Sequence, residues 1–201
     1  MFYTADENRH GLRHDPFKAI VAPRPIGWIG TRGLDGSRNL SPYSFFNAIG
    51  DSPKLVMFSS GGRKHSARNA EETGVFTTNF VSRHLVEKMN ASSVAVPYGV
   101  DEFEIAGLAA RQGELVDAPY VAEALAVLEC RVTEVRNPLD LSGKPTDDVL
   151  VFGQVVGIHI DETIIRDGRL DMAVARPVAR MGYMDYTEGS DVFEMIRPPR
   201  P

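Results

Sequence analysis

Residues Asp148–Asp161 read Asp-Val-Leu-Val-Phe-Gly-Gln-Val-Val-Gly-Ile-His-Ile-Asp, apolar at odd and even positions alike. A run of this kind predicts a long strand covered on both faces. Its two glycines, Gly153 and Gly157, fit the bulges or bends that let a sheet curl toward a barrel. As a helix the run is too short to span a bilayer, and Gln154 and His159 interrupt it. The rest of the chain must therefore supply partners for one long, bent, central strand.

Candidate partners follow from the alternation and turn chemistry of the other segments. Ile26–Arg32 and Asn39–Asn47 flank Asp35-Gly36, a favoured hairpin turn, which predicts Trp28 and Thr31 beside Ser44 and Phe45. Lys54–Ser60 is apolar on both faces and reads as internal. Val75–Val81 sends Phe76, Thr78 and Phe80 to one side and Val75, Thr77 and Asn79 to the other. Ala124–Val135 alternates with Ala126, Leu128, Cys130 and Val132 inward and Glu129, Arg131 and Thr133 outward. Phe17–Ala22, stopped by Pro23-Arg24-Pro25, reads as an edge or crossover, and Leu108–Val116 as a weak strand. Helices are expected over Lys64–Thr73, closed by Gly74, and over Ser82–Ala91, capped by Ser82. Strands outnumber helices, and neither a βαβ alternation nor a strand-borne G-x-G-x-x-G occurs. The expected class is mainly β (α+β), an antiparallel barrel with a few peripheral helices. Residues 1–16 read as an N-terminal arm, 17–190 as the domain and 191–201 as an extended, proline-rich tail.

Charge and cysteine content narrow the functions. A net charge of −5 over 201 residues argues against a nucleic-acid partner, which wants a basic face. The single cysteine, Cys130, leaves no disulfide and no cysteine metal cage, and a buried small hydrophobe is its simplest reading. His10 and His14 flank Gly11 without an apolar helical face, and His65, His84 and His159 are scattered, so no metal site is expected. No basic-then-apolar leader opens the chain, so a cytoplasmic protein without membrane association is expected.

Two stretches carry candidate ligand chemistry. Asn39–Asn47 combines hydroxyls (Ser41, Tyr43, Ser44) and an amide (Asn47) with Phe45 and Phe46 beside a proline. That mixture suits a ligand wall or an aromatic strand with serines in turns. Ser59-Ser60-Gly61-Gly62-Arg63-Lys64 leads from a strand into a helix. This is either a glycine turn or an anion cradle built from free helix amides and two cations. Asn79, on an otherwise apolar strand, needs a turn backbone or a ligand as partner. Arg180 lies with two tyrosines near Gly182.

Five motifs in order resemble the flavin-reductase-like family of FMN-binding split barrels, which includes flavoredoxins. They are Ala-Pro-Arg-Pro-Ile-Gly-Trp-Ile-Gly-Thr (22–31), Asn-Leu-Ser-Pro-Tyr-Ser-Phe-Phe-Asn (39–47), Lys-His-Ser-Ala-Arg-Asn (64–69), Phe-Thr-Thr-Asn-Phe (76–80) and Arg-Met-Gly-Tyr-Met-Asp-Tyr (180–186). The resemblance runs from about Asp15 to Tyr186 and implies a Greek-key split barrel that forms a homodimer with FMN at the subunit interface. It implies Trp28 and Thr31 along the flavin and Ser44, Phe45, Phe46 and Asn47 around the ring. Ser59, Ser60, Arg63, Lys64 and Ser66 would hold ribityl and phosphate, Asn69 would brace the helix and Asn79 would face the cofactor. Arg180 and Tyr183 would complete the pocket from the other subunit. No side chain is assigned as catalytic, because the flavin would carry hydride from NAD(P)H to free flavin, a redox partner protein or a small acceptor. Two positions depart from the family pattern. Lys64-His65-Ser66 replaces its Lys-Asp-Thr, and Thr146-Asp147-Asp148 replaces its Gly-Asp-His. A carboxylate cannot donate as imidazole does, so an electron-transfer module without NAD(P)H turnover stands as an alternative, beside a pyridoxamine-phosphate-oxidase-type barrel.

Overall fold

The computed structural model describes residues 1–198; the last three residues of the expected tail lie outside the described residues. Seven antiparallel strands form the main sheet: β1 (Gly27–Arg32), β2 (Arg38–Tyr43), β3 (Phe46–Asp51), β4 (Lys54–Gly61), β5 (Val75–Asn79), β6 (Ala126–Arg136) and β7 (Asp148–Ile160). Their order is β2-β1-β5-β6-β7-β4-β3. The two edge strands, β2 and β3, are consecutive in sequence, separated only by Ser44 and Phe45. Three backbone steps from Tyr43 to Phe46 reach at most about 11 Å. The sheet must therefore roll until its edges approach, and the Ser59 amide donates to the Phe45 carbonyl at 2.8 Å across the junction. The result is a curled, split barrel, as expected.

The long strand bends where its glycines predict. Pairing of β7 with β6 shifts between Phe152 and Gly153 and again between Val155 and Gly157. A Cβ on Gly153 would stand 2.5 Å from the Phe76 ring. Inside the barrel, Ile29, Phe58, Phe76, Cys130 and Val151 form one core. Burial pushes the Cys130 thiol up, so it stays a protonated packing group.

Trp28 points to the opposite face of β1 and joins a second core with Leu40, Leu85, Met89, Phe103 and Val121. The short helices are α1 (Phe17–Ile20), α2 (His65–Thr73), α3 (Val86–Ala91), α4 (Glu102–Ile105) and α5 (Met172–Ala175); α3 and α4 pack on this second core, and Ala67 and Ala70 of α2 on the first. A 3-10 turn over Arg83–Leu85 precedes α3, so the expected helix is split in two. None of the helices is long and apolar enough to cross a membrane among the described residues.

Three expectations are corrected. Phe17–Ile20 is a helical turn, with no strand before Arg24. Trp28 pairs with Pro42 and Thr31 with Asn39, so neither neighbours Ser44 or Phe45 in the ladder. Within Leu108–Val116 only Ala110–Gln112 is extended, paired with Pro119–Val121. Glu129 does face outward as its alternation predicts, opposite the inward Cys130, but it is only 1% exposed because the loop at Glu114–Val116 covers that face.

Candidate functional site

The strand-to-helix turn is shaped like an anion cradle. β4 ends at Gly61, and α2 begins at His65 with Lys64 as an extended cap that makes no side-chain capping bond. The first-turn amides of the helix are thus left without a capping acceptor, and such amides attract anions. Behind them the Asn39 side-chain carbonyl is buried without a partner, and the buried Ser60 hydroxyl lies against the Tyr43 phenol. A buried acceptor without a partner calls for a donor that can bond it. Ser41 and Tyr43 of β2, Lys64 and His65, and Val94 and Val96 enclose a cleft of about 420 Å³ in front of this turn.

The cleft is braced from behind. The Asn39 amide donates to Ser66 Oγ at 2.8 Å. Asn69 donates to Thr31 Oγ1 at 3.2 Å and accepts from the Tyr98 hydroxyl at 3.1 Å, which ties α2 to β1. Burial pushes the Tyr43 phenol up, countered in part by the Ser66 and Ser60 hydroxyls, so Tyr43 remains a neutral donor at the wall. Glu102 accepts the Leu40 amide at 2.9 Å, and burial raises its carboxyl. Arg63 turns along the helix surface to Glu71 and Glu72, at 2.6 and 3.2 Å, whereas Lys64 forms no ion pair among the described residues.

A second cleft, about 320 Å³, lies on the far side of the β2–β3 junction. Ser44 shares it with Lys18, Arg24, Arg180 and Tyr183. Phe45 is 40% exposed, and Lys18 Nζ and the Arg24 guanidinium each stand 5.9 Å from its ring centre. Arg180 and Tyr183 thus meet Ser44 within one chain. Tyr43 and Ser44, adjacent in sequence, line the two clefts separately.

The structure gathers Ser60, Lys64, Ser66 and Asn69 at one turn and Ser44, Phe45, Arg180 and Tyr183 at another. Ser59, next to Ser60, is half-buried. Asn47 is exposed, its side chain accepting the Ala48 amide. Phe46 packs on the barrel core. Trp28 and Thr31 are fully buried, with Trp28 Nε1 donating to Ser92 Oγ at 2.9 Å. Asn79 is satisfied within the chain, donating to the Trp28 carbonyl at 2.8 Å and accepting the Val121 amide at 2.7 Å. Its partners are therefore backbone groups, the first of its two expected kinds. A larger concavity of about 640 Å³ near Arg32, Thr73 and Asp117 contains none of these residues. Lys18 and Arg24 carry no local sequence signal as site residues. They reach Arg180 only through pairing of Arg24–Pro25 with Val178–Arg180, which local patterns do not reveal.

Comparison with known proteins gives a consistent match. Residues 21–174 fit the family model described as a flavin reductase like domain. An uncharacterized protein of Halalkalibacterium halodurans is 34% identical over 89% of this chain and 87% of its own. A second, from Deinococcus radiodurans, is 36% identical over 92% and 84%. The structure of nitrilotriacetate monooxygenase component B from Bacillus cereus superposes with a TM-score of 0.88, at 26% identity, over 97% of this chain and 98% of that one. A split-barrel flavin reductase structure from Shewanella frigidimarina gives 0.82 at 22% identity, over 98% and 100%, a likeness of fold.

Proposed function

The chain belongs to the flavin reductase-like family, and from that premise we propose that it is an FMN-dependent oxidoreductase that accepts hydride from NAD(P)H and passes electrons to free flavin, a redox partner protein or a small acceptor. The observation that carries the reading is the cradle itself. Uncapped amides at the start of α2 and the Lys64 ammonium, which forms no ion pair among the described residues, stand at one cleft. A phosphate would satisfy both at once, and Ser41 and Tyr43 would wall the remainder of the cofactor.

FMN, when bound, supplies the hydride and electron chemistry. The chain's own residues do the rest. Lys64 and the helix amides neutralise phosphate charge, and Tyr43 and Ser41 offer hydroxyls along the wall. The junction Ser44–Phe46 would wall off the flat part of the ligand from water. The uncapped turn and the unpaired Lys64 ammonium therefore fit the group. Association of two chains around this cleft, as the family resemblance implies, is part of the proposal.

A second reading has one observation in its favour. Asp148 pairs with Gly61 in the β7–β4 ladder, which puts a carboxylate beside the phosphate turn where the family pattern has histidine. This favours an FMN-holding electron carrier that nicotinamide reduces slowly. Stopped-flow absorbance of the FMN-loaded protein under anaerobic conditions separates the two. Bleaching within seconds on adding NADH or NADPH supports the reductase, and an unchanged spectrum leaves the carrier. Protein that is colourless and takes up no FMN on titration removes both.

The cradle also makes a point prediction. Lys64→Ala is expected to weaken FMN binding by about 1–3 kcal/mol, the worth of a charge-assisted phosphate bond. Fluorescence titration measures it, and an unchanged dissociation constant would place the phosphate elsewhere.

A further inference from the structure

The second cleft has a charge pattern that packing alone does not explain. Arg24 and Arg180 are direct partners on neighbouring strands. Like charges opposite one another destabilise a ladder. Burial first, and the Arg180 charge second, lower the Arg24 guanidinium from its ordinary range. Lys18 adds a third cation above Phe45, and His14 stands at the rim, its ring tilted against Tyr183 at 5.5 Å. None of Lys18, Arg24 and Arg180 enters an ion pair among the described residues. The one acid in the wall, Asp15, is engaged by the Phe17 amide at 2.8 Å and the Asn8 amide at 3.2 Å.

The arginines are held in place. Arg24 is 7% exposed, and its terminal nitrogens bond the carbonyls of Lys18, Val21 and Met181. Its Nε is buried and has no partner. Arg180 is anchored by the Tyr186 hydroxyl and the Tyr183 carbonyl. A buried, unpartnered donor beside two further fixed or nearby cations is arranged for an acceptor that carries negative charge.

We propose that this cleft is an oxyanion site, which takes the phosphate or carboxylate of the small co-substrate that meets the flavin across the Tyr43–Phe46 junction. The inference rests on the flavin reading for its partner, but the site is argued from its own cations. The exposed ring of Phe45 would support the flat part of that molecule while Lys18, Arg24 and Arg180 hold its charged end. A nucleotide donor and an aromatic acid acceptor share this chemistry, and the test tells them apart.

The experiment uses the full chain loaded with FMN, with FMN uptake measured first on the same sample. Sodium pyrophosphate and sodium benzoate are then titrated in by calorimetry. Lys18 is exposed and outside the cores, so Lys18→Gln tests charge without risking the fold. The wild type is expected to bind at least one probe, and Lys18→Gln to weaken that binding about five-fold or more. Lys18→Arg should restore it, while Lys54→Gln, a charge removed from an exposed site paired with Asp51, should not move it. Selective binding of pyrophosphate assigns the site to a nucleotide, and selective binding of benzoate to a carboxylic acid. FMN-loaded protein that binds neither probe, or binds equally well with Lys18→Gln, overturns the oxyanion site and leaves the flavin reading intact. Failure to take up FMN sinks the flavin reading instead.

Discussion

Glu129→Ala is expected to cost about 3–5 kcal/mol of folding stability, the penalty for removing one partner from a buried charged network. The carboxylate accepts the amides of Glu114, Leu115 and Val116 at 2.9, 2.7 and 3.0 Å, and His159 Nε2 stands 2.5 Å from it. His159 is itself stacked on Tyr120 at 4.9 Å. One side chain thus holds a whole loop against the outer face of β6, and alanine would leave its amides unbonded. Glu129→Gln, which keeps one acceptor oxygen, should cost less, about 1–3 kcal/mol.

Acid dependence supplies a second readout. Burial raises the Glu129 carboxyl, but the His159 bond and the three amides outweigh it, and the net effect lowers it below the usual glutamate range. A lowered folded-state value means that the stabilisation is fully present above the unfolded-state value. It is lost as pH falls through the folded-state value. Urea unfolding measured from neutral pH into that acid range should therefore show a flatter decline for Glu129→Gln than for the wild type. Parallel curves would mean that the carboxylate is not the group responsible.

Gly30→Ala is the second large effect, expected to destabilise by about 3 kcal/mol through overpacking. A Cβ there would lie 2.2 Å from the Pro119 carbonyl oxygen and 2.5 Å from Thr77 Oγ1. Neither can retreat freely. Thr77 donates to that same carbonyl at 2.6 Å, and two residues on, the Val121 amide is fastened to Asn79. Trp28 is the only tryptophan in the chain and fully buried, so its fluorescence follows unfolding directly. A loss below about 0.5 kcal/mol, the usual range for inconsequential surface changes, would show that the short Pro119–Val121 strand yields easily.

These two sites mark where local patterns stop being informative. Alternation along Ala126–Thr133 assigns Glu129 to solvent, and it would be right if nothing covered that face. The cover comes from residues 113–118, a segment with no period of its own. Asn79 is similar. Its strand requires a partner for the amide, but only the fold reveals that the partner is the backbone of Val121 and Trp28.

The candidate site divides along the same line. Ser60, Lys64, Ser66 and Asn69 are legible in the sequence because one strand–turn–helix unit carries them, and local geometry suffices to bring them together. Lys18, Arg24 and Arg180 come from the two ends of the chain, and their meeting depends on a strand pair with no local signature. The stretch Asn39–Asn47 mixes both cases. Its composition marks it as a ligand wall, yet it comprises both edges of the sheet and the two residues that join them.

The sequence by itself determined the long strand and its main partners, the bend points at Gly153 and Gly157 and the helix after Ser59–Lys64, because period-two burial, missing Cβ atoms and turn residues act within a few residues. Tertiary structure alone decided that the sheet rolls until its edges meet at Ser44–Phe45, that a loop covers and buries Glu129, and that three cations share one cleft. Each of those depends on which distant segment covers a given face, and the chain settles that only when it closes on itself.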